Sequence, residues 1–551
     1  MALRDVLLSP LVAHPLLTLF LLPVILLVLR SLYRISPLHP LSHIPGPLLP
    51  RLSSLWLTYH AWVGDEASVV DALHKKYGTI VRNGPNSVDI SDGAALAAIY
   101  TERGGFAKTK FYENFALPDG VHMHNSIFSE TDPLTRAPRA KAVAVLFSTS
   151  NLRQGQDLIY ACVDKFVARL AEGKKSSQAR NGAAATAAAP LNILNLTRGL
   201  AVDAVSSYLL GKSYEALSED STGTKHEKTE AAVRKELAEP MSAAGMVDTF
   251  VAVGRFWYLP SWAFKLVESS DAWWNANDEV THSLARVDDF VAGVVSDAEA
   301  SIINASTARL EDEKTPLATT TTTTTTTAPD HHPLTSYPAR LLQAGFTPSE
   351  TRAQCKDLIF AGSDSTGMNL ATILFMLAKH PDCHRKARDE VLLAGNGGHP
   401  GFDELQSLPY LRGVVKEGLR LSMANPSRLP RVVPPGGWTF KDTTHFPGGT
   451  EVSCTPYSLH LNADVFPDPF AFKPERWIDP SEAMMRDAIP FGLGSRQCIA
   501  RNLATVELYC AVARVLEAGI LQGAATVKSE IEILEWFNSK VVGERIDLVW
   551  Q

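Results

Sequence analysis

Cysteine is scarce in this chain: six residues in 551, with no paired spacing. A disulfide framework is therefore excluded, and a reduced, cytosol-facing compartment is expected. Positive charge is not in excess either. Fifty-two Lys and Arg stand against 59 Asp and Glu, a formal charge of −7, so there is no basic footprint for nucleic acid. Neither G-x-G-x-x-G nor G-x-x-x-x-G-K-[ST] occurs, which removes the usual flavin, nicotinamide and nucleotide sites. H-E-x-x-H and G-x-S-x-G are also missing, and no internal repeat is visible. What remains, 45% hydrophobic and 20% charged, is an ordinary globular composition. One large helical domain fits the length.

Charge is also lacking from one long run. Val6 to Leu29 contains no Asp, Glu, Lys or Arg, and it ends in Arg30-Ser31-Leu32-Tyr33-Arg34. About 20 apolar residues span a bilayer core, and a basic, aromatic flank suits the cytosolic interface. A cleaved signal peptide would want a basic start and a shorter core. The expectation is a retained single-pass anchor over residues 1–34. A proline-rich linker over 35–50 follows, in which Ile44-Pro45-Gly46-Pro47 makes a stiff bend. Residues 51–551 are expected to form the folded body. Low-complexity insertions are expected near 174–190 and 314–335; the second holds nine consecutive threonines, Thr319 to Thr327, and a solvated His331-His332 pair.

The body reads as mainly α with a minor β part. Thr347-Pro348-Ser349-Glu350 is a capping box with proline in the first turn, so a helix starts there and runs to Lys379-His380, where Pro381 stops it. At about 1.5 Å per residue it crosses the whole domain. Shorter helices are expected at about 382–394 and 409–421, strands at about 430–456, and a last helix just after Cys498.

Phe491-Gly492-Leu493-Gly494-Ser495-Arg496-Gln497-Cys498-Ile499-Ala500 is the most informative stretch. Glycines let the backbone fold tightly so that amide N–H groups can face the sulfur. A following helix N-terminus and Arg496 would favour the thiolate, and Phe491 can screen it from water. This setting suits a thiolate on a metal. Cys162, Cys355, Cys383, Cys454 and Cys510 lack it and read as core residues.

Here the sequence resembles the cytochrome P-450 family of haem-thiolate monooxygenases. Phe491, Gly494, Arg496 and Cys498 match its F-x-x-G-x-R-x-C-x-G signature, with Ala500 in place of the last Gly. The resemblance runs from Ile44 to the end. It implies haem b with Cys498 as the iron ligand, whose electron push favours O–O cleavage. It also implies a buried network of Glu417, Arg420 and Arg476, from Glu417-Gly418-Leu419-Arg420 and Pro474-Glu475-Arg476-Trp477. In Ala361-Gly362-Ser363-Asp364-Ser365-Thr366, the family pattern makes Gly362 room for dioxygen. Asp364, Ser365 and Thr366 are then a proton relay, with Ser365 standing where Thr is usual. Arg139, Arg431 and Arg496 fall at positions that hold the haem propionates, although Thr135 departs from the aromatic or His expected before Arg139.

The resemblance further implies electrons from NADPH through a separate flavoprotein reductase. It places the protein in the endoplasmic reticulum membrane with the catalytic body facing the cytosol. The substrate would be an apolar or amphipathic small molecule, lined by Phe106, Phe111, Phe115, Met123 and Phe128 and by the stretch from Met241 to Trp262. In style the chain is similar to filamentous-fungal members that tailor secondary metabolites. A non-monooxygenase haem-thiolate enzyme (isomerase, dehydratase or peroxygenase) is the alternative, and a haem-binding protein without turnover a more distant one. Retention of Asp364 and Ser365 argues against both.

Overall fold

The computed structural model describes residues 15–120, 122–179, 190–218, 244–274, 278–312, 335–396 and 398–550. The helices that frame the site are α1 (Pro15–Ile35), α2 (Pro133–Val143), α3 (Gln156–Ala179), α4 (Ile193–Val205), α5 (Ala244–Val253), α6 (Asp278–Asp312), α7 (Pro348–Lys379), α8 (Pro409–Ser422) and α9 (Arg501–Glu517). A five-stranded sheet is built from β1 (Ile80–Arg82), β2 (Ser87–Ile90), β3 (Ala107–Lys108), β4 (Arg431–Val432) and β5 (Glu451–Ser453), in the order β1-β2-β5-β4-β3. Only β2 and β5 run parallel, with Val452 opposite Val88.

The long helix forms as its start signal dictates. Thr347 Oγ1 accepts from Glu350 N–H at 3.2 Å, while Glu350 Oε2 accepts from Thr347 N–H at 3.0 Å. The helix is buried on almost every face, with Ile359, Leu370, Ile373 and Leu374 in the core, as a helix packed all round must be. It packs on α4, α6, α8 and α9. A Cβ on Gly367 would lie 2.7 Å from Arg198 Cγ and 2.8 Å from its Cα, so glycine sets the close approach of α4 to α7.

Two boundaries differ from expectation. The 35–50 segment is part of the packed body: Leu41 and Ile44 are buried with Val88 and Val452 in a second core under the sheet. Arg82 N–H donates to Pro45 O at 2.8 Å, and a Cβ on Gly46 would meet Arg82 O at 2.3 Å. Apolar side chains between the prolines make this a strap held on the sheet. The first insertion also begins later, because α3 runs through Lys174 and Lys175 to Ala179, and Lys174 Nζ bonds Gly519 O at 2.9 Å. The rest of it (180–189), the threonine tract with His331 and His332, and Met241 lie outside the described residues. So do residues 1–14 of the expected anchor. Among the described residues no helix is long and apolar enough to cross a membrane.

Candidate active site

The cysteine loop is closed by its own backbone. Cys498 N–H donates to Phe491 O at 2.9 Å, and Gln497 N–H to Gly494 O at 3.1 Å. Gly494 has φ +69° and touches the backbone near Tyr100: a Cβ there would sit 1.8 Å from Tyr100 O. No other residue fits. Cys498, alone among the described cysteines, is exposed, and it opens onto a cavity of about 490 Å³ shared with Arg136, Ala140, Phe147 and Asn502. The surrounding protein pushes its thiol up, against a smaller downward pull from Ala500 N–H and the Arg501 charge. Arg501 therefore takes the electrostatic part expected of Arg496.

Arg496 instead donates to Glu130 O at 2.6 Å and Thr131 O at 3.0 Å. It belongs to a cluster of cations that sequence reasoning only half recovered. Lys108 Nζ donates to Phe128 O at 2.6 Å and lies 4.0 and 4.1 Å from the Tyr112 and Phe128 ring centres. Arg136 Nε bonds Ile127 O at 2.9 Å, and Arg431 Nη1 bonds Pro430 O at 3.0 Å and Tyr112 Oη at 3.3 Å. All four donate to carbonyls or a phenol instead of carboxylates. Burial, with Arg136 and Arg431 behind it, lowers Arg496 to about 10, and burial with the three arginines drives Lys108 well below its usual range. Arg139 is not in this cluster; it pairs with Glu130 at 3.2 Å and Glu350 at 3.6 Å. A lysine two residues before an aromatic-rich turn carries no signal in sequence, which is why Lys108 was missed.

On α7, Ala361 is exposed although the helix crosses the domain interior, so open space lies against this face. Ser365 Oγ donates to Ala361 O at 3.0 Å, one turn back. Asp364 points away from it, gripped by Arg198 on α4 through Nε at 2.9 Å and Nη2 at 2.5 Å, while Arg198 Nη1 pairs with Glu544 at 2.8 Å. Thr366 is buried. Gly362 is half-buried, and a Cβ there would meet Val205 Cγ2 at 2.7 Å, so its bareness serves the packing of α4.

Glu417, Arg420 and Arg476 come together as one buried network. Glu417 accepts from Arg420 Nε and Nη2 at 2.9 and 2.8 Å and from Arg476 Nε at 3.0 Å. Trp477 Nε1 and Lys473 N–H add bonds at 2.9 and 3.1 Å. Arg420 Nη1 bonds His460 O at 2.8 Å, and His460 Nε2 accepts from Ile489 N–H at 2.9 Å, two residues before the cysteine loop. His460 thus joins network to loop. Burial, aided by the Arg420 charge, pushes its imidazole down to about 3. Its folded value lies below the unfolded one near 6.5, so the stability it permits is full above that and is lost as pH falls toward 3. Taking the protein from pH 7 to 5 should cost ~2 kcal/mol at this residue. Denaturant midpoints at the two pH values check it: His460→Gln should flatten the slope by that amount, and an unchanged slope would refute the assignment.

An aromatic wall packs around Phe360, the residue before Ala361. Phe115 stands 5.0 Å from Phe537, 5.5 Å from Phe128 and 5.7 Å from Phe250, and Phe250 stacks on Phe360 at 4.6 Å. Phe111 packs edge-on to Tyr258 at 5.7 Å. Phe106 turns the other way onto Trp438, Met123 is exposed, and Trp262 is 71% exposed.

This geometry meets independent likenesses. The Cytochrome P450 family model matches residues 45–518. The cytochrome P450 monooxygenase mfmF of Annulohypoxylon moriforme is 38% identical, covering 96% of this chain and 98% of its own. The monooxygenase TRI4 of Fusarium sporotrichioides is 28% identical over 90% of this chain and 87% of its own. Pisatin demethylase of Fusarium vanettenii is 27% identical over 89% and 86%. A chain matched over nearly its whole length by these proteins, and carrying an open loop cysteine and a long interior helix, belongs to the cytochrome P450 family and is a monooxygenase, an oxidoreductase.

Proposed function

We propose that this monooxygenase holds haem b through Cys498 and oxidises an apolar small molecule in fungal secondary metabolism, with electrons from NADPH delivered by a separate reductase. The observation that carries this reading is the free Cys498 thiol on a loop whose turns only glycine permits, near four buried or half-buried cations that hydrogen-bond to no carboxylate among the described residues. Those cations fit a dianionic porphyrin: Lys108, Arg136, Arg431 and Arg496 would take up its two propionates in charge-assisted bonds. When bound, the haem supplies dioxygen activation and transfer of one oxygen atom to carbon.

The chain's own part is positioning and proton control. The aromatic wall excludes water and orients the substrate over Ala361. Ser365 Oγ can turn from Ala361 O toward the open space and pass a proton there. Asp364 joins only on release from Arg198, which also links it to Glu544 near the surface. Ser365→Ala should keep cofactor and NADPH use but divert electrons to hydrogen peroxide. Product per NADPH should fall more than about tenfold, since positioned proton transfer contributes on the order of 10²–10⁴. Ser365→Thr should keep coupling. Unchanged coupling in Ser365→Ala would move the role to Thr366 or to a substrate hydroxyl.

The reading also places residues 1–34 in the endoplasmic reticulum membrane with the body facing the cytosol. It is supported by the exposed apolar row of Val24, Ile25, Leu26, Leu27 and Val28 on α1. Deleting residues 1–34 should release the protein from membranes with cofactor retained; a truncated protein that still sediments with them would count against the anchor.

A further inference from the structure

Between Asp5 and Asp65 the chain has no acidic residue, and Asp65 itself is taken by His60 at 2.7 Å. The arginines of this stretch gather at the end of α1. Arg30 and Arg34 lie one helical turn apart, on one face. Arg34 Nη1 donates to Leu52 O, and Arg51 Nη2 to Ile44 O at 3.0 Å, so the strap and the short helix Leu48–Leu52 bring Arg51 close. Arg82, at the end of β1, stands behind them. Its guanidinium is buried and donates to Pro85 O at 2.7 Å, Arg34 O at 3.1 Å and Gly84 O at 3.3 Å. All of these bonds go to carbonyls, and Arg51 Nε has no hydrogen-bond partner. Among the described residues no carboxylate pairs with any of the four. Burial, with the charges of Arg51 and Arg34, lowers Arg82 to about 10. The cluster therefore repels itself and has no counter-ion from the protein. It is open to the surface, because Arg30 is exposed and Arg34 and Arg51 are half-buried.

The surface around these arginines is apolar. Leu29 and Leu32 on α1, Leu48 and Leu49 on the next helix, and Leu55 and Tyr59 on the one after it (Leu55–Val63) are all more than half exposed. The three helices pack in sequence, α1 on Leu48–Leu52 and that helix on Leu55–Val63. Leucines at this density mark a contact surface, and arginines set among them call for an anion. We infer that Arg30, Arg34 and Arg51, backed by the fixed charge of Arg82, bind the phosphate of an anionic phospholipid at the cytosolic face of the bilayer. The site rests on the reading of residues 1–34 as an anchor, which brings this end of α1 to the headgroups. Guanidinium forks match phosphate oxygens in pairs. A neutral phosphatidylcholine carries its own cation beside the phosphate, so a cluster without acids favours a lipid with net negative charge.

The test places the full-length, cofactor-loaded protein in phosphatidylcholine bilayers containing a trace of spin-labelled lipid. Electron paramagnetic resonance then reads how strongly labelled phosphatidylserine is held against the protein relative to labelled phosphatidylcholine. The wild type should favour the serine lipid at least about threefold, the scale of one or two arginines at a charged interface. Arg30→Gln with Arg51→Gln should bring the ratio near one, with far-ultraviolet circular dichroism unchanged. If that double variant does not fold, Arg30→Gln alone decides the matter, since its side chain is exposed and holds no bond; it should at least halve the preference. Arg385→Gln, at an exposed position on the helix Pro381–Gly395, should leave the ratio as it was. A wild-type ratio of one, or a preference that survives both substitutions, would overturn the site. Inorganic phosphate added at constant ionic strength should not remove the preference; its complete loss would make a soluble anion the ligand and overturn the lipid assignment. Failure of the full chain to enter the bilayer defeats the anchor reading, whereas entry without preference defeats only the headgroup site.

Discussion

Replacing Cys498 with Ala should remove the thiolate-type Soret band of the reduced carbon-monoxide complex and all monooxygenase turnover, while Cys454→Ala and Cys510→Ala should leave both in place. The contrast follows from what surrounds each sulfur. Cys355, Cys454 and Cys510 are wholly buried, and burial raises all three thiols, Cys510 to about 12. Cys162 is raised to about 11 by burial, only partly offset by its contact with Ser207. None of these is poised as a thiolate. The Cys498 thiol is also raised by enclosure, but it is open on one side, and the Ala500 amide and the Arg501 charge both favour its anion. A bound cation would complete what those groups begin, since a coordinating thiol is deprotonated outright. A surviving thiolate-type band in Cys498→Ala would mean that another cysteine ligates, and the loop would lose its assigned role.

The parts of this site that were legible in sequence are those in which local backbone chemistry and function coincide. Gly494 must be glycine because of its φ and the Tyr100 carbonyl against it, so the loop is visible as a string. The α7 cap is visible for the same reason. Among side chains that meet only through the fold, Arg431, Arg496 and the Glu417–Arg476 network came from the resemblance, while Lys108 and Arg136 were missed. Lys108 and Arg431 face each other across paired strands, from positions over 300 residues apart in sequence, and neither strand has a length or pattern that stands out. Asp364 was read beside Ser365 because they are adjacent in sequence. Yet successive helical residues point about 100° apart, and Asp364 reaches Arg198 instead. The packing role of Gly362 was hidden for a related reason, since the partner that needs its bareness, Val205, comes from α4. The 35–50 segment has a linker's prolines, but the apolar residues between them decided its packing.

Glu417→Ala should abolish recovery of cofactor-loaded protein, an effect that the network's geometry makes larger than any ordinary charge deletion. The Glu417 carboxylate is fully buried and accepts five hydrogen bonds, two of them a bidentate grip from Arg420. Removing it strands the guanidinium of Arg420, itself fully buried, without a counter-charge. Breaking one side of such a pair costs ~3–5 kcal/mol, against a total stability of about 5–15 kcal/mol for a folded domain. The nearby Glu475–Lys386 pair, at 2.7 Å but half exposed, makes the comparison. Exposed pairs contribute only about 0–1 kcal/mol, so Glu475→Gln should leave the denaturation midpoint nearly unchanged. The damage at Glu417 is also directed. Arg420 holds His460 O, and His460 Nε2 holds Ile489 N–H, so the disturbance runs to the residues that lead into Phe491 and Cys498. Glu417→Gln keeps the shape but loses the charge and turns N–H groups toward arginine donors. It should therefore fold in part while its thiolate-type band falls further than its total protein. Full band amplitude per folded molecule in Glu417→Gln would show that the network supports only the fold and does not set the cysteine loop.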